Sequence, residues 1–329
     1  MLKLGTAVKR AMLGVELNEI TCDARGFRVD DPAVKARIET IGSTFLHGYD
    51  AALADGGVKQ LSASLGLVES ELRGFAFEGA AMALTLLDHV SARQRSRWKA
   101  FVDGPGTPHV YMVHIGAGWA FARLPRGHAR LERFLTRCDE HLRWLVVDGY
   151  GFHHGFFDWT QTIDQRERPV FSSPYASRAF DQGLGRSLWF VEGADVDRLV
   201  ARVRTFEPAR QADLFSGVGL ASAYAGGVDE ERLACLSDQA GAELPQVRLG
   251  VALAAMTRWN AGNPSPRTSA ASKVLCSSSD TELGQLGITL LDEVRNAWSN
   301  NVPADPYPNH YEQWRAQLRS TTQRLSSAC

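Results

Sequence analysis

Apolar residues along this chain gather in short stretches built around a glycine, and the segments between them alternate charged with aliphatic positions. Seven such stretches read HGYDAAL from His47, EGAAMAL from Glu78, IGAGWAF from Ile115, HGFFDWT from His154, QGLGRSL from Gln182, SGVGLAS from Ser216 and LGVALAA from Leu249. A weaker eighth, LGITLLD, begins at Leu286. Their glycines, Gly48, Gly79, Gly116, Gly155, Gly183, Gly217, Gly250 and Gly287, are 31, 37, 39, 28, 34, 33 and 37 residues apart. Small residues recur two positions on (Ala81, Gly118, Gly185, Gly219, Ala252) and four positions on (Ala52, Ala83, Ala120, Ser187, Ala221, Ala254). On a helix, a glycine and a small residue four apart share a face and let a second helix come close.

The intervening segments RLERFLTRCDEHLRWLV, DVDRLVARVRTF and DEERLACLSDQA repeat their apolar positions at the helical period. In DVDRLVARVR acids lead and bases follow, as the helix dipole favours. YAGGVDEERL (224–233) spells a helix end, a glycine stop and a new start at Asp229. Two helices every ~34 residues is the period of tetratricopeptide-like hairpins. Strand-like alternation is nowhere sustained. The pattern therefore predicts an all-α array of about seven to eight helical hairpins, arranged as a tetratricopeptide-like solenoid or an α/α toroid. Residues 1–32 form an N-terminal cap helix, 33–300 the repeats, and 301–329 a Pro-rich loop with a short final helix, all in one domain.

Composition narrows the function classes. The chain has 329 residues, 44% hydrophobic and 22% charged, enough for one large domain with a sizeable core. A net charge of -1 leaves no basic footprint for nucleic acid. The longest uncharged run, GPGTPHVYMVHIGAGWAFA (104–122), opens with two prolines and holds two histidines, so it reads as a loop entering a buried helix rather than a membrane span. The N-terminus lacks a continuous apolar run and a cleavage site, and the five scattered cysteines suit a reducing compartment, so a cytoplasmic location is expected. No C-x-x-C pair, phosphate-binding GxxxxGK[ST] loop, GxSxG elbow or HExxH helix occurs.

Aligned on their glycines, the stretches place His47, Glu78, His154, Gln182 and Ser216 one position before the glycine, and His114, His153 and Asp181 one earlier. Successive first helices lining one concave face would bring these groups together at helix starts. His114, His153, His154, Glu78 and Asp181 are the candidate acid–base groups. Gln182, Arg186 and His47, with the aromatics Trp119, Phe157, Trp159 and Trp189, are the candidate ligand-binding groups. Capping, ion pairing and core packing account for the same residue types. The histidine-rich stretch DGYGFHHGFFDW (148–159) is the first choice for a site. No compact H-x-x-H pair marks a metal, so whether the histidines hold a metal or haem is left open, and no cofactor is specified.

The linked motifs RGFAFEGAAMAL, HVYMVHIGAGWA, DGYGFHHGFF, FDQGLGRSLWFVEGADV and LFSGVGLASAYAGGVD resemble an uncharacterised bacterial domain-of-unknown-function family found in enediyne polyketide gene clusters. The likeness runs from RGF (25–27) to AGNPSP (261–266). It implies an accessory protein of natural-product biosynthesis that binds, and transforms, a long apolar polyene-like intermediate; it transfers no catalytic residue. The alternative reading is a non-catalytic helical scaffold that docks a biosynthetic partner protein.

Overall fold

The computed structural model describes residues 11–54, 57–90, 96–300 and 309–327. Among them every regular element is helical. A 3₁₀ turn (Leu17–Ile20) and the short α1 (Cys22–Arg25) lead into α2 (Pro32–Leu53), α3 (Gly57–Gly66), α4 (Arg73–Val90), α5 (Arg97–Val102), α6 (Val110–Arg123), α7 (Gly127–Leu135) and α8 (Arg143–Phe157). Then follow α9 (Pro174–Val191), α10 (Val196–Arg204), α11 (Pro208–Tyr224), α12 (Glu230–Ala240), α13 (Leu244–Ala261), α14 (Pro266–Cys276), α15 (Asp280–Asn300) and α16 (His310–Ser327). The expected array of helical hairpins is what forms. The start at Asp229 is also real: α11 ends at Tyr224, Gly226 and Gly227 take positive φ, and the Asp229 carboxylate accepts the Arg232 N–H to open α12. Part of the expected N-terminal cap (residues 1–10) and most of the Pro-rich loop (301–308) lie outside the described residues.

Helices α2, α4, α6, α8, α9, α11, α13 and α15 form an inner row in which each packs on the next. The end helices α2 and α15 keep exposed polar faces, whereas the central ones are enclosed: every α4 residue from Gly74 to Leu87 is buried. Two positions per helix make that packing possible. A Cβ at Gly79, Gly116, Gly149, Gly183, Gly217 or Gly250 would overlap a backbone carbonyl of the preceding inner helix (Phe45, Glu78, Ile115, Asp148, Gln182 and Ser216 in turn). Two residues on, a Cβ at Gly118, Gly151, Gly185 or Gly219 would overlap a carbonyl of the following one. Gly48 does the same against Ala76. In α6, α8, α9 and α11 the x-G-x-G signature thus seats the helix between two neighbours at backbone contact.

This corrects the sequence register at three repeats, most consequentially in α8. The stretch DGYGFHHGFFDW enters the array through Gly149, whereas Gly155 meets the Ser187 and Leu184 side chains instead of a carbonyl. Gly287 likewise meets the Met256 side chain. Leu46, Gly79, Gly116, Gly149, Gly183, Gly217 and Gly250 are the equivalent positions, 33, 37, 33, 34, 34 and 33 residues apart. The period is therefore more even than the first alignment had it. Asp148, not His154, shares the slot of Glu78, Gln182 and Ser216, and Val147, not His153, shares that of His114 and Asp181, His153 lying six residues farther on.

The row curls until its first helices meet the segments around α11, α13 and α14. Arg37 of α2 donates to Ala225 O beyond α11 (2.9 Å), and Arg258 of α13 donates to Glu71 O just before α4 (3.0 Å). The Glu71 carboxylate accepts from Arg267 of α14 (2.8 Å), Ser265 (2.7 Å) and Arg37 (3.2 Å). Across the middle, Phe75 of α4 meets Tyr224 of α11 edge-on at 5.2 Å. The C-terminal helix α16 lies inside this curl against α13 and α15. Its Trp314 donates to Gly287 O (2.9 Å), and its buried Arg315 donates to Ser216 Oγ and to Asp213 (both 3.2 Å). One half of the concave face is filled by α16. The other half, lined by α2, α4, α6, α8 and α9, is hollow.

Candidate functional site

The hollow is a cavity of about 180 Å³ walled by Phe45, Phe75, Met82, Trp119, Phe152, Phe156, Phe157 and Phe190, with Ile38, Ile41 and Leu46 from α2. Its polar groups are Glu78, Arg186 and His153, with Glu19 and Arg123 as the exposed lining residues where it opens. The N-terminal segment crosses that opening. Arg123 donates to Leu13 O (3.2 Å) and Gly14 O (3.4 Å), and the Tyr49 hydroxyl also bonds Leu13 O. Farther on, Trp159 Nε1 donates to Arg25 O (2.8 Å), fixing α1 beside the same wall.

The polar floor follows from the repeat register. In the slot before the seating position stand Phe45, Glu78, Ile115, Asp148, Gln182, Ser216 and Leu249, one on each inner helix from α2 to α13. Four of these are polar, and the interior links them in a line. Gln182 Nε2 donates to Asp148 Oδ2 (2.8 Å), Ser216 Oγ bonds Gln182 Oε1 (3.4 Å), and Arg186 pairs with Asp148 Oδ1. Arg186 also reaches Glu78 Oε1, more distantly, at 3.9 Å, and its guanidinium lies 4.8 Å over the Phe152 ring. Asp148 thus has both oxygens engaged and cancels the Arg186 charge. Glu78 is the surplus acid.

Glu78 is only 3% exposed, and its Oε1 makes no hydrogen bond. Burial raises its carboxyl to about 7; the Arg186 charge opposes the rise and the Asp148 charge adds to it. Trp119 Nε1, 7% exposed, stands beside Glu78, near enough to draw its carboxyl down slightly but outside the geometry of a full hydrogen bond to it or to any other group. His153, 5% exposed, has both ring nitrogens unpartnered, and burial lowers it to about 3, so it is a neutral imidazole at ordinary pH. Its ring sits 4.6 Å from Phe157 and 5.5 Å from Trp119. Three buried, unsatisfied polar side chains facing one apolar cavity are unusual, because each such group is costly unless something fills the cavity and bonds it.

Because the Glu78 carboxyl titrates higher in the fold than the ordinary 4.5, its ionisation opposes folding. Its contribution is most favourable below about pH 4.5 and is lost as pH rises through about 7. Glu78→Gln should therefore gain about 3 kcal/mol relative to wild type between pH 4 and pH 8. Parallel urea titrations at the two pH values read this directly; an unchanged difference means that Glu78 titrates normally.

Of the residues singled out from sequence, the structure gathers Glu78, Trp119, His153, Phe157 and Arg186 at the cavity. The others lie elsewhere. His114 Nδ1 donates to Val110 O (2.7 Å), and the ring stands edge-on to Trp98, behind α6. His154 pairs with Asp158 (2.9 Å), and His47 is exposed beside Ser64. Asp181 is held by Arg210 and Arg168, both at 2.6 Å. Gln182 is one bond removed from the cavity through Asp148, Trp189 donates to Gly226 O in the core (2.9 Å), and Trp159 anchors α1. Among the described residues no group of three or more His, Cys, Asp or Glu is placed to hold a metal ion. Sequence reasoning missed Asp148, Phe45 and the strap at 13–20. Asp148 was accessible: aligning VDGYGF with DQGLGR and FSGVGL on x-G-x-G exposes it.

Among the described residues no helix is long and apolar enough to cross a membrane. The family described as "Protein of unknown function (DUF1702)" matches residues 4–322. No curated protein and no solved structure matches the chain.

Proposed function

The chain belongs to the DUF1702 family, and since that membership carries no assigned chemistry, we propose from the cavity itself that the protein binds an unsaturated, mainly apolar small molecule with one polar end. The observation behind this is the pairing, in one aromatic hollow, of an unused acceptor (Glu78 Oε1) with an unused donor (Trp119 Nε1). A hydroxyl answers both at once; a carbonyl answers the donor. The volume is of the class of a cavity of about 150 Å³ that takes up benzene, so a longer chain extends out past Glu19 and Arg123. The motif resemblance to proteins of bacterial enediyne polyketide clusters supports a polyene-like ligand and an accessory role in its biosynthesis, in the cytoplasm.

Titration calorimetry with linear 2,4-dien-1-ols, from hexadienol upward, tests the reading. The wild-type protein should bind them one to one, and Met82→Trp, which fills the cavity from α4, should abolish the heat. Absence of binding throughout the series, or equal binding by Met82→Trp, would falsify it.

A further inference from the structure

A carboxylate that only anchors a ligand needs no special environment. Glu78 has one: it shares a single arginine with a second acid that has already neutralised it, and it faces a hollow of aromatic rings. Beside it waits an N–H with no acceptor. A desolvated base next to a fixed hydrogen-bond donor is what proton abstraction next to a carbonyl requires, since the donor stabilises the oxyanion that forms.

We infer that Glu78 is a catalytic acid–base that moves a proton along an unsaturated ketone or aldehyde held in this cavity, shifting its double bond into conjugation. The inference rests on the cavity being a ligand site as proposed above. In the step, the Glu78 carboxylate takes a proton from the carbon between the carbonyl and a β,γ double bond. The electron pair of that C–H bond becomes a double bond between the α carbon and the carbonyl carbon while the carbonyl π pair moves onto oxygen, giving a dienolate whose oxyanion accepts from the Trp119 N–H. The α,β double bond forms when that oxygen pair returns and the β,γ pair takes up a proton. The dienolate then recaptures the same proton from the Glu78 carboxyl at its γ carbon, restoring the carbonyl and the carboxylate. Substrate and product are isomers, so no oxidant, reductant or second substrate is consumed. Asp148 holds Arg186 in place and is a positioning residue, since both its oxygens are engaged away from the ligand.

The geometry separates Glu78 from the other titratable groups around it. Arg186 is charge-balanced by Asp148, Tyr224 is pushed up by burial and stays a neutral phenol, and His153 stays a neutral imidazole. The base form of Glu78 alone changes across neutral pH, so the rate should climb through about pH 7 and then level.

The probe is hex-4-en-2-one, of a size the cavity admits, with conversion to hex-3-en-2-one followed by the absorbance of the conjugated enone. Hexan-2-one, which cannot isomerise, reports binding by calorimetry. The wild-type protein should accelerate isomerisation over buffer. Glu78→Gln should lower the rate about 100-fold or more while still binding hexan-2-one. Trp119→Phe should lower it about 100-fold, the lower end of the loss expected for an oxyanion donor. Circular dichroism of each variant confirms that it is folded. Binding of hexan-2-one without isomerisation, or an equal rate in Glu78→Gln, overturns the proton transfer and leaves the binding reading standing. No binding of hexan-2-one or of the dienols overturns both.

Discussion

Gly183→Ala should cost about 3 kcal/mol or more in urea denaturation, the largest loss expected from adding one methyl group anywhere in α9. The added Cβ would overlap the backbone carbonyl of Asp148 and crowd Phe152 N. Neither can yield alone, because both belong to the α8 backbone, which is seated in turn against Ile115 O through Gly149. A flexible side chain could swing aside; a carbonyl in a helix cannot. The overlap therefore pushes α8 and α9 apart along their length and disturbs the floor where Asp148, Gln182 and Arg186 meet. Gly66, at the end of α3, offers the control. Nothing lies within 4 Å of a Cβ built there, so Gly66→Ala should leave stability unchanged or raise it by up to about 1 kcal/mol. Equal effects at the two glycines would mean that backbone seating is not what sets the helix spacing.

Arg186→Met should destabilise the protein by about 3–5 kcal/mol at pH 8, because it strands two buried acids without a cation. Asp148 retains only the Gln182 amide, and Glu78 loses its sole ionic partner. Glu78, already raised by burial, loses in that variant the Arg186 charge that opposed the rise, so its favourable contribution is present at low pH and lost as pH rises. The defect should accordingly shrink on acidification toward pH 5. Neutralising the acids as well, in Arg186→Met with Asp148→Asn and Glu78→Gln, should recover much of the loss, since well-packed neutral groups replace a buried ion cluster at little cost. Denaturation curves for the single and triple variants at both pH values decide it. A single variant insensitive to pH would show that the Arg186 charge is not what these acids depend on.

Much of the architecture was legible in the residues themselves. Helical periodicity, the glycine-centred apolar stretches and the Asp229 start are local signals, and the helices they predict are formed as local hydrogen bonding and close-packing rules dictate. The candidate site was only half legible. Glu78, Trp119, His153, Phe157 and Arg186 were singled out as residue types and do meet, yet His114, His47 and Asp181 satisfied the same pattern and went elsewhere. A histidine on an apolar helix looks the same in sequence whether it packs behind α6 against Trp98 or lines a hollow. The difference lies in which face of each helix turns inward, and that depends on the seating register.

That register is where sequence and tertiary structure part. The amino-acid sequence by itself determines an all-helical chain whose glycines let inner helices meet at backbone distance, because a missing Cβ is a local property. Which glycine of DGYGFHHGFFDW seats the helix is decided only by the neighbours: Gly149 meets a carbonyl and Gly155 meets side chains. Shifting the choice from Gly155 to Gly149 turns Asp148 onto the polar floor, where it consumes the charge of Arg186 and leaves Glu78 unsatisfied. Tertiary structure also decides that α16 fills one half of the curl and spares the other. A cavity is the space left when distant segments have packed, so no local pattern of residues encodes it.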